Sequence, residues 1–187
     1  QDFAIADDLL FDIAVAGDGR VVGVGIAGRR NALVRFQPDG TLDTTFGTGG
    51  IVNDDARSFE KVTVQPDNKI LVFGRQNTLT FVARYDVDGT LDSTFGTNGV
   101  ATIDHGELTH NRAVRVAVRD DGTIVAFGAV FDSTTVGTHF MTLRLTATGT
   151  LDTSFNGTGV VIQRFDGFTS ASAMALALDD KIVVAGS

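Results

Sequence analysis

Residues 35–47 read Arg35-Phe36-Gln37-Pro38-Asp39-Gly40-Thr41-Leu42-Asp43-Thr44-Thr45-Phe46-Gly47. The same pattern returns as Arg84-Tyr85-Asp86-Val87-Asp88-Gly89-Thr90-Leu91-Asp92-Ser93-Thr94-Phe95-Gly96. It returns again as Arg144-Leu145-Thr146-Ala147-Thr148-Gly149-Thr150-Leu151-Asp152-Thr153-Ser154-Phe155. Self-similarity at intervals of roughly fifty residues marks an array of supersecondary units that bury a core only by stacking. A second block precedes each of these and occurs once more: Ile13 to Gly25, Val62 to Gly74, Val116 to Gly128 and Met174 to Gly186. Together the blocks divide the chain into repeats at about 9–54, 55–104 and 105–166, with a partial one at 167–187.

Each unit reads as β-structure. Ile13-Ala14-Val15 and Val21-Val22-Gly23-Val24 flank Asp18-Gly19, the signature of a type I′ hairpin. Asp121-Gly122 repeats the signal, and Asp67-Asn68 and Asp179-Asp180 replace it with other turn-tolerant residues. A third strand ends at the repeated Arg, with Val34 and Phe36, Ala83 and Tyr85, or Leu143 and Leu145 on one face. Short fourth strands follow at Ile51-Val52, Val100–Ile103 and Val160–Ile162, and Phe3–Ala6 takes the place of a fourth strand from a preceding unit. No window carries a useful 3.6-residue period. Four strands in about fifty residues is one propeller blade. The expected fold is therefore all-β, a β-propeller of antiparallel four-stranded blades, with three full blades and partial blades at both ends. The third unit carries extra residues between Val100 and Val116 and between Gly128 and Arg144, expected as loops added to an intact scaffold.

Composition narrows the function classes. The 187 residues are 43% apolar, enough for a core. Fifteen basic against 23 acidic side chains give a net charge of −8, which argues against a phosphate-binding, nucleic-acid surface. The absence of Cys removes disulfides, thiolate metal sites and cysteine nucleophiles. No apolar run approaches a membrane span, so membrane insertion is not expected. The start, Gln1-Asp2-Phe3, lacks a signal-peptide layout, and any export signal is expected to have been removed already.

Phe46, Phe95 and Phe155, with Leu42, Leu91 and Leu151, are the expected anchors between blades. Arg35 with Asp43, Arg84 with Asp92 and Arg144 with Asp152 keep one spacing in all three units. That spacing predicts a charge-assisted pair, within a blade or across to the next. The functional rival is a ring of Arg side chains reading an anionic ligand.

The segments at 35–47 and 84–96 resemble the delta-60 repeat, found in bacterial proteins that are often large and exported. The resemblance covers almost the whole chain, implies propeller blades and export, and carries no general activity with it. It implies an extracellular or cell-surface location.

Candidate chemistry is sparse. Gly23-Val24-Gly25-Ile26-Ala27-Gly28 matches a dinucleotide fingerprint but leads into a strand instead of the helix that would hold a pyrophosphate. Asp86, Asp88 and Asp92 resemble the opening of a calcium loop, so one weak calcium site is the single cofactor expectation. His105, Glu107, His110, Asp132 and His139 fall in or beside the extra residues of the third unit, where loops on a rigid scaffold commonly bind ligands or partners. Asn53-Asp54-Asp55 reads as a solvated turn, and Asn156-Gly157-Thr158 as a repeated turn that matches a glycosylation sequon. Compared with sialidase-type propellers, the one Tyr, Tyr85, lies on an apolar strand face, and Trp is absent. The expected function is a structural or interaction module of an exported or cell-surface protein. Its scaffold would present segments 104–111 and 130–139 to a protein or glycan, with self-association or another propeller segment at open blade edges. The alternative is a propeller hydrolase or lyase acting on extracellular polysaccharide.

Overall fold

The computed structural model describes residues 8–166, 169–177 and 181–187. Among these, all regular structure is β. Strands β1 (Leu9–Val15), β2 (Val21–Ala27), β3 (Arg30–Phe36) and β4 (Ile51–Asp54) form one sheet in chain order. Strands β5 (Ser58–Val64), β6 (Ile70–Gln76), β7 (Leu79–Tyr85) and β8 (Val100–Ile103) form the second. The third holds β9 (Thr109–Val118), β10 (Ile124–Asp132), β11 (Gly137–Leu145) and β12 (Val160–Gln163). A two-stranded sheet of β13 (Ala171–Leu176) and β14 (Ile182–Gly186) follows. All neighbours are antiparallel. The expected strand at Phe3–Ala6 and the turn at Asp179-Asp180 lie outside the described residues.

The first strands stand side by side, β1 against β5, β5 against β9 and β9 against β13, so the sheets fan out from a common axis. Alternation then decides which sheet each residue touches. Val22, Val24 and Leu33 of the first sheet pack on Ile70, Val72 and Phe81 of the second. Leu71 and Phe73 point the other way, onto Ile124, Ala126 and Leu143 of the third. Val125, Phe127 and Phe140 cover Ala171 and Met174 of the hairpin. A strand buried on both faces must be apolar throughout, which is why β6 opens Ile70-Leu71-Val72-Phe73.

The hairpin turns differ from the sequence expectation. A type I′ turn needs positive φ at both central residues, but only the last loop residue is left-handed: Gly19 (84°), Asn68 (65°) and Gly122 (83°). The bonds Gly19 N–H to Ala16 O at 3.0 Å and Ala16 N–H to Arg20 O at 2.8 Å define a three-residue loop, a type I turn closed by a left-handed residue. The turns at Gln37–Thr41, Asp86–Thr90 and Thr146–Thr150 have the same two bonds, so one turn design serves the hairpins and the repeated motif alike. Asp39 and Asp88 accept the N–H two residues on, at 2.9 Å in both cases. In the third unit Thr146 Oγ1 takes over, bonded to the Thr150 hydroxyl at 2.7 Å.

The glycine that closes the second block has a packing cause. Each first strand bulges, between Leu10 and Asp12 and between Phe59 and Lys61 for instance, and its backbone crosses closely over Gly25 or Gly74. A Cβ there would collide with the Leu9 or Ser58 carbonyl. This accounts for Gly25 without any nucleotide.

The extra residues of the third unit do not form the expected loops alone. Those between Gly128 and Arg144 lengthen β10 and β11 to nine residues each, joined by a short turn with Val136 at φ 52°. Those between Val100 and Val116 form the turn around Gly106 and a ten-residue β9.

Gly40 and Gly149 have matching backbones, at φ +84° and +83°, but differ in surroundings. Nothing lies within 4 Å of a Cβ on Gly40, whereas one on Gly149 would stand 2.7 Å from Phe95 Cε2 and 2.8 Å from Gly96 N. Gly40→Ala is therefore expected to cost about 1–2 kcal/mol for the left-handed conformation alone, and Gly149→Ala a further ~1–3 kcal/mol for overpacking. Urea melts of the two variants measure the difference.

Candidate functional site

The repeated motif builds an inter-unit clamp. Arg35, Arg84 and Arg144 precede the last residues of β3, β7 and β11. After the turn the chain returns, and the Asp43, Asp92 and Asp152 N–H groups each donate 2.9 Å to the carbonyl of their Arg. That backbone bond brings the side chains together: Arg Nε lies 2.7, 2.6 and 2.7 Å from Asp Oδ2 in the three units. The other carboxylate oxygen accepts from Thr45, Thr94 or Ser154. Each guanidinium also lies over the Phe of its motif, 4.5 Å from the Phe46 centroid, 4.6 Å from Phe95 and 4.9 Å from Phe155.

The clamp crosses to the next unit. Arg35 Nη1 donates to Val87 O, and Arg84 Nη1 to Ala147 O at 2.6 Å. Gly47 N–H donates 2.8 Å to Asp88 O, and Gly96 N–H 2.8 Å to Thr148 O. The turn glycines Gly89 and Gly149 rest on Phe46 and Phe95, both fully buried. The Arg–Asp pair thus lies within each unit, and across to the next unit Arg35 and Arg84 reach backbone carbonyls instead. Arg35 and Arg84 face inward onto protein partners and form no ring open to an anion.

The three carboxylates proposed for calcium do not share one cation space. Asp86 and Asp92 converge on Lys69 Nζ, at 2.8 Å each, and Asp88 bonds the Thr90 hydroxyl of its own turn at 2.7 Å. Burial opposes ionisation of Asp92, but Lys69, Thr94 and Arg84 outweigh it and hold the carboxyl well below the usual range.

The sequence expectation that the third-unit residues line an exposed binding surface is corrected for most of them. His110, Asp132 and His139 are buried, His105 is half-buried, and Glu107 alone is exposed. His105 Nδ1 lies 2.9 Å from Leu108 O, and its Nε2 3.1 Å from Thr80 Oγ1. Thr80 Oγ1 is 2.9 Å from His110 Nδ1, and His110 Nε2 3.2 Å from Glu60 Oε1. Glu60 Oε2 also accepts the Ala113 N–H at 2.7 Å, strapping the second unit to the third. Both ends of this chain are acceptors, so its bonds require one proton more than neutral His105, Thr80 and His110 supply. Burial lowers the His105 pKa. Burial tends to raise the Glu60 pKa, but its bond and charge interaction with His110 prevail and lower it.

The grouping Glu60–His110–Thr80 resembles a catalytic relay, yet Thr80 is fully buried and no substrate reaches it. Asp132 and His139 meet near the turn end of the β10–β11 hairpin, with Nε2 3.8 Å from Oδ2. Asp132 caps Thr134 and pairs with Arg164 at 2.7 Å, and both interactions lower its pKa. Tyr85 is buried edge-on against Phe59, and desolvation pushes its pKa up, the opposite of what a nucleophile needs. Glu60, Thr80 and Arg164 carry no repeat signal, so sequence inspection passes over them, whereas Lys69 stands where Arg20 does, which lies 3.7 Å from Asp43 Oδ2.

Among the open clefts, two bear on function. One of about 320 Å³ lies on the axis, lined by all four first strands and including Asp12, Arg115 and Ser172. Asp12 Oδ2 there already accepts the Val62 N–H at 3.0 Å. The other, about 260 Å³ and apolar, lies on the open face of the first sheet among Leu9, Leu10, Ile26, Val34, Phe36 and Ile51. Among the described residues no group of three or more His, Asp or Glu is placed to hold a metal ion, and no helix is long and apolar enough to cross a membrane.

A family model described as "Domain of unknown function (DUF5122) beta-propeller" matches residues 16–46, 65–95 and 120–155. The matched segments coincide with the turns, Arg strands and Phe anchors of the three clamps. No curated protein matches the sequence. A crystal structure of a protein of unknown function from Bacteroides caccae is similar in fold, with a TM-score of 0.55 and 10% identity. The similarity covers 97% of this chain and 54% of that one, so the chain spans about half the length of its structural relative.

The clamp geometry sets an order of stabilities. Arg84→Ala leaves Asp92, only 4% exposed, with Lys69 as its remaining cation and removes the bond to Ala147 O, and is expected to cost about 2 kcal/mol. Arg144→Ala, in a pair about 20% exposed on each side, is expected to cost about 1 kcal/mol. Denaturant melts give both values.

Acid should act on the same groups. In the native state the Asp43 and Asp92 pKa values are lowered from the ordinary 3.8, so the unfolded chain binds protons more readily. The stability these carboxylates contribute is present above that value and is lost as pH falls through and below it. Melting temperature is expected to drop in that window, with a shallower slope in Asp92→Asn.

Proposed function

We propose a structural and interaction role for this chain, which belongs to the DUF5122 β-propeller family: a clamped array of blades that associates through an open blade face. The observation that carries this reading is the apolar surface of the first sheet. Leu10 is 59% exposed, Ile13 56% and Val15 67%, beside an apolar cleft that continues onto Val34 and Ile51. The corresponding faces of the second and third sheets, at Ile70, Val72, Ile124 and Ala126, are covered by a neighbouring sheet. Contiguous apolar surface of this kind marks a protein contact and not a solvated face. The polar groups that could support turnover point inward and bond to each other, which favours a binding module over a hydrolase. An exported or cell-surface setting belongs to this proposal and rests on the resemblance of segments 35–47 and 84–96 to a repeat of exported bacterial proteins. Asp104, Glu107 and the exposed hairpin tip Ser133, Thr134, Thr135 and Val136 are third-unit side chains that could meet an extracellular protein or glycan.

Light scattering over a concentration series tests the open face. The expected result is a mass rising above 19.7 kDa with concentration, and a return to 19.7 kDa in the double variant Leu10→Asp, Ile13→Asp. A mass of 19.7 kDa at every concentration for the unaltered chain overturns this role for the face.

A further inference from the structure

We propose that the free edge of β14, together with Arg144, Phe155 and Asn156, forms a docking site for an extended segment bearing the repeat's own strand-and-turn chemistry. The evidence is the pair of completed junctions earlier in the chain. At each, the third strand of a unit pairs with the second strand and runs into a turn that seats on the preceding unit. Three contacts define the seat: an Arg Nη1 donating to the carbonyl two residues before the turn Gly, a main-chain N–H donating to the next carbonyl, and a Phe ring beneath the Gly. Arg35, Gly47 and Phe46 receive Val87, Asp88 and Gly89 in this way. Arg84, Gly96 and Phe95 receive Ala147, Thr148 and Gly149.

The third unit presents the same seat without an occupant among the described residues. Arg144 keeps its own-unit partners, Nε on Asp152 and Nη2 on Ser154, while Nη1 has no acceptor there. Asn156 stands where Gly47 and Gly96 stand, at φ 55° against their 54°, so its N–H is aimed alike. Phe155 is half-buried where Phe46 and Phe95 are fully buried. The exposure of the Arg side chain rises from 6% and 11% in the first two units to 20% here, and that of the Asp from 0% and 4% to 22%. Beside the seat, β14 pairs among the described residues on one side only, with β13, and Val183 is 55% exposed. A strand added antiparallel to β14, as β7 is to β6 and β11 to β10, delivers its turn onto Phe155. Main-chain pairing supplies affinity, and the three-point seat selects for a turn ending in Gly.

This site lies on the third unit and the final hairpin, apart from the β1 face, so its failure and that of the self-association role are separately visible. The probe is a synthetic peptide with the sequence of residues 79–96, titrated into the folded chain by calorimetry with backbone NMR alongside. We expect saturable binding of one peptide per chain, with shifts at the Asn156 N–H and along Ile182–Gly186. Arg144→Gln is expected to weaken binding about tenfold or more, the loss of a charge-assisted hydrogen bond. The protein can be left unaltered by changing the peptide instead: its Gly89→Val form must collide with Phe155 and is expected not to bind. Absence of binding by the parent peptide, equal binding of both peptides, or shifts confined to Leu9–Val15 overturns the proposal.

Discussion

One guanidinium in each unit ties the array together. The Arg84 side chain neutralises Asp92 with Nε, covers Phe95 with its plane and reaches Ala147 of the next unit with Nη1. Its rigid fork suits a group that must satisfy partners in different directions. Removing the guanidinium costs the buried carboxylate a partner and the next unit its bond to Ala147 O at once, so the own-unit fold and the contact to the next unit are coupled. This is nearest-neighbour coupling: each unit is stable to the extent that the following turn is seated.

The seat also determines the turn. Gly89 and Gly149 sit over Phe rings in a left-handed conformation, which leaves no room for a Cβ and no tolerance for a right-handed residue. The first half of the turn is less constrained. Asp39 and Asp88 meet the N–H two residues ahead and Thr146 the one four ahead, so any side-chain oxygen that reaches the N–H closing the turn serves.

The third unit shows what the scaffold does with added residues. Longer β10 and β11 continue their shared ladder to Asp132 and Gly137 and extend the core through Val130 and Phe140. The insertion before β9 brings in His105 and His110, whose bonds to Thr80 and Glu60 fasten the third unit to the second. Most of the polar side chains that mark this unit in the sequence therefore hold the structure, and among the described residues no sheet covers the apolar face of the first unit or the Phe155 seat of the third.

The repeat and its strand pattern were legible in the sequence because each unit presents the same local problem and solves it with the same residues. The pairing of Arg35 with Asp43 could be read from constant spacing, since backbone pairing across a fixed turn leaves the two side chains nowhere else to meet. The turn type was misread because Asp-Gly is compatible with both a two-residue and a three-residue loop, and the choice depends on where the strands meet. The fate of the histidines was beyond the sequence, since Glu60 and Thr80 lie far along the chain from His110 and approach it only when the second and third sheets stack. By itself the sequence determined the unit, its strands, its core faces and its internal ion pair, all set within a few dozen residues. Tertiary structure alone decided which carbonyl the guanidinium reaches, which carboxylates meet Lys69 and which faces stay open, because these depend on how one sheet is placed against the next.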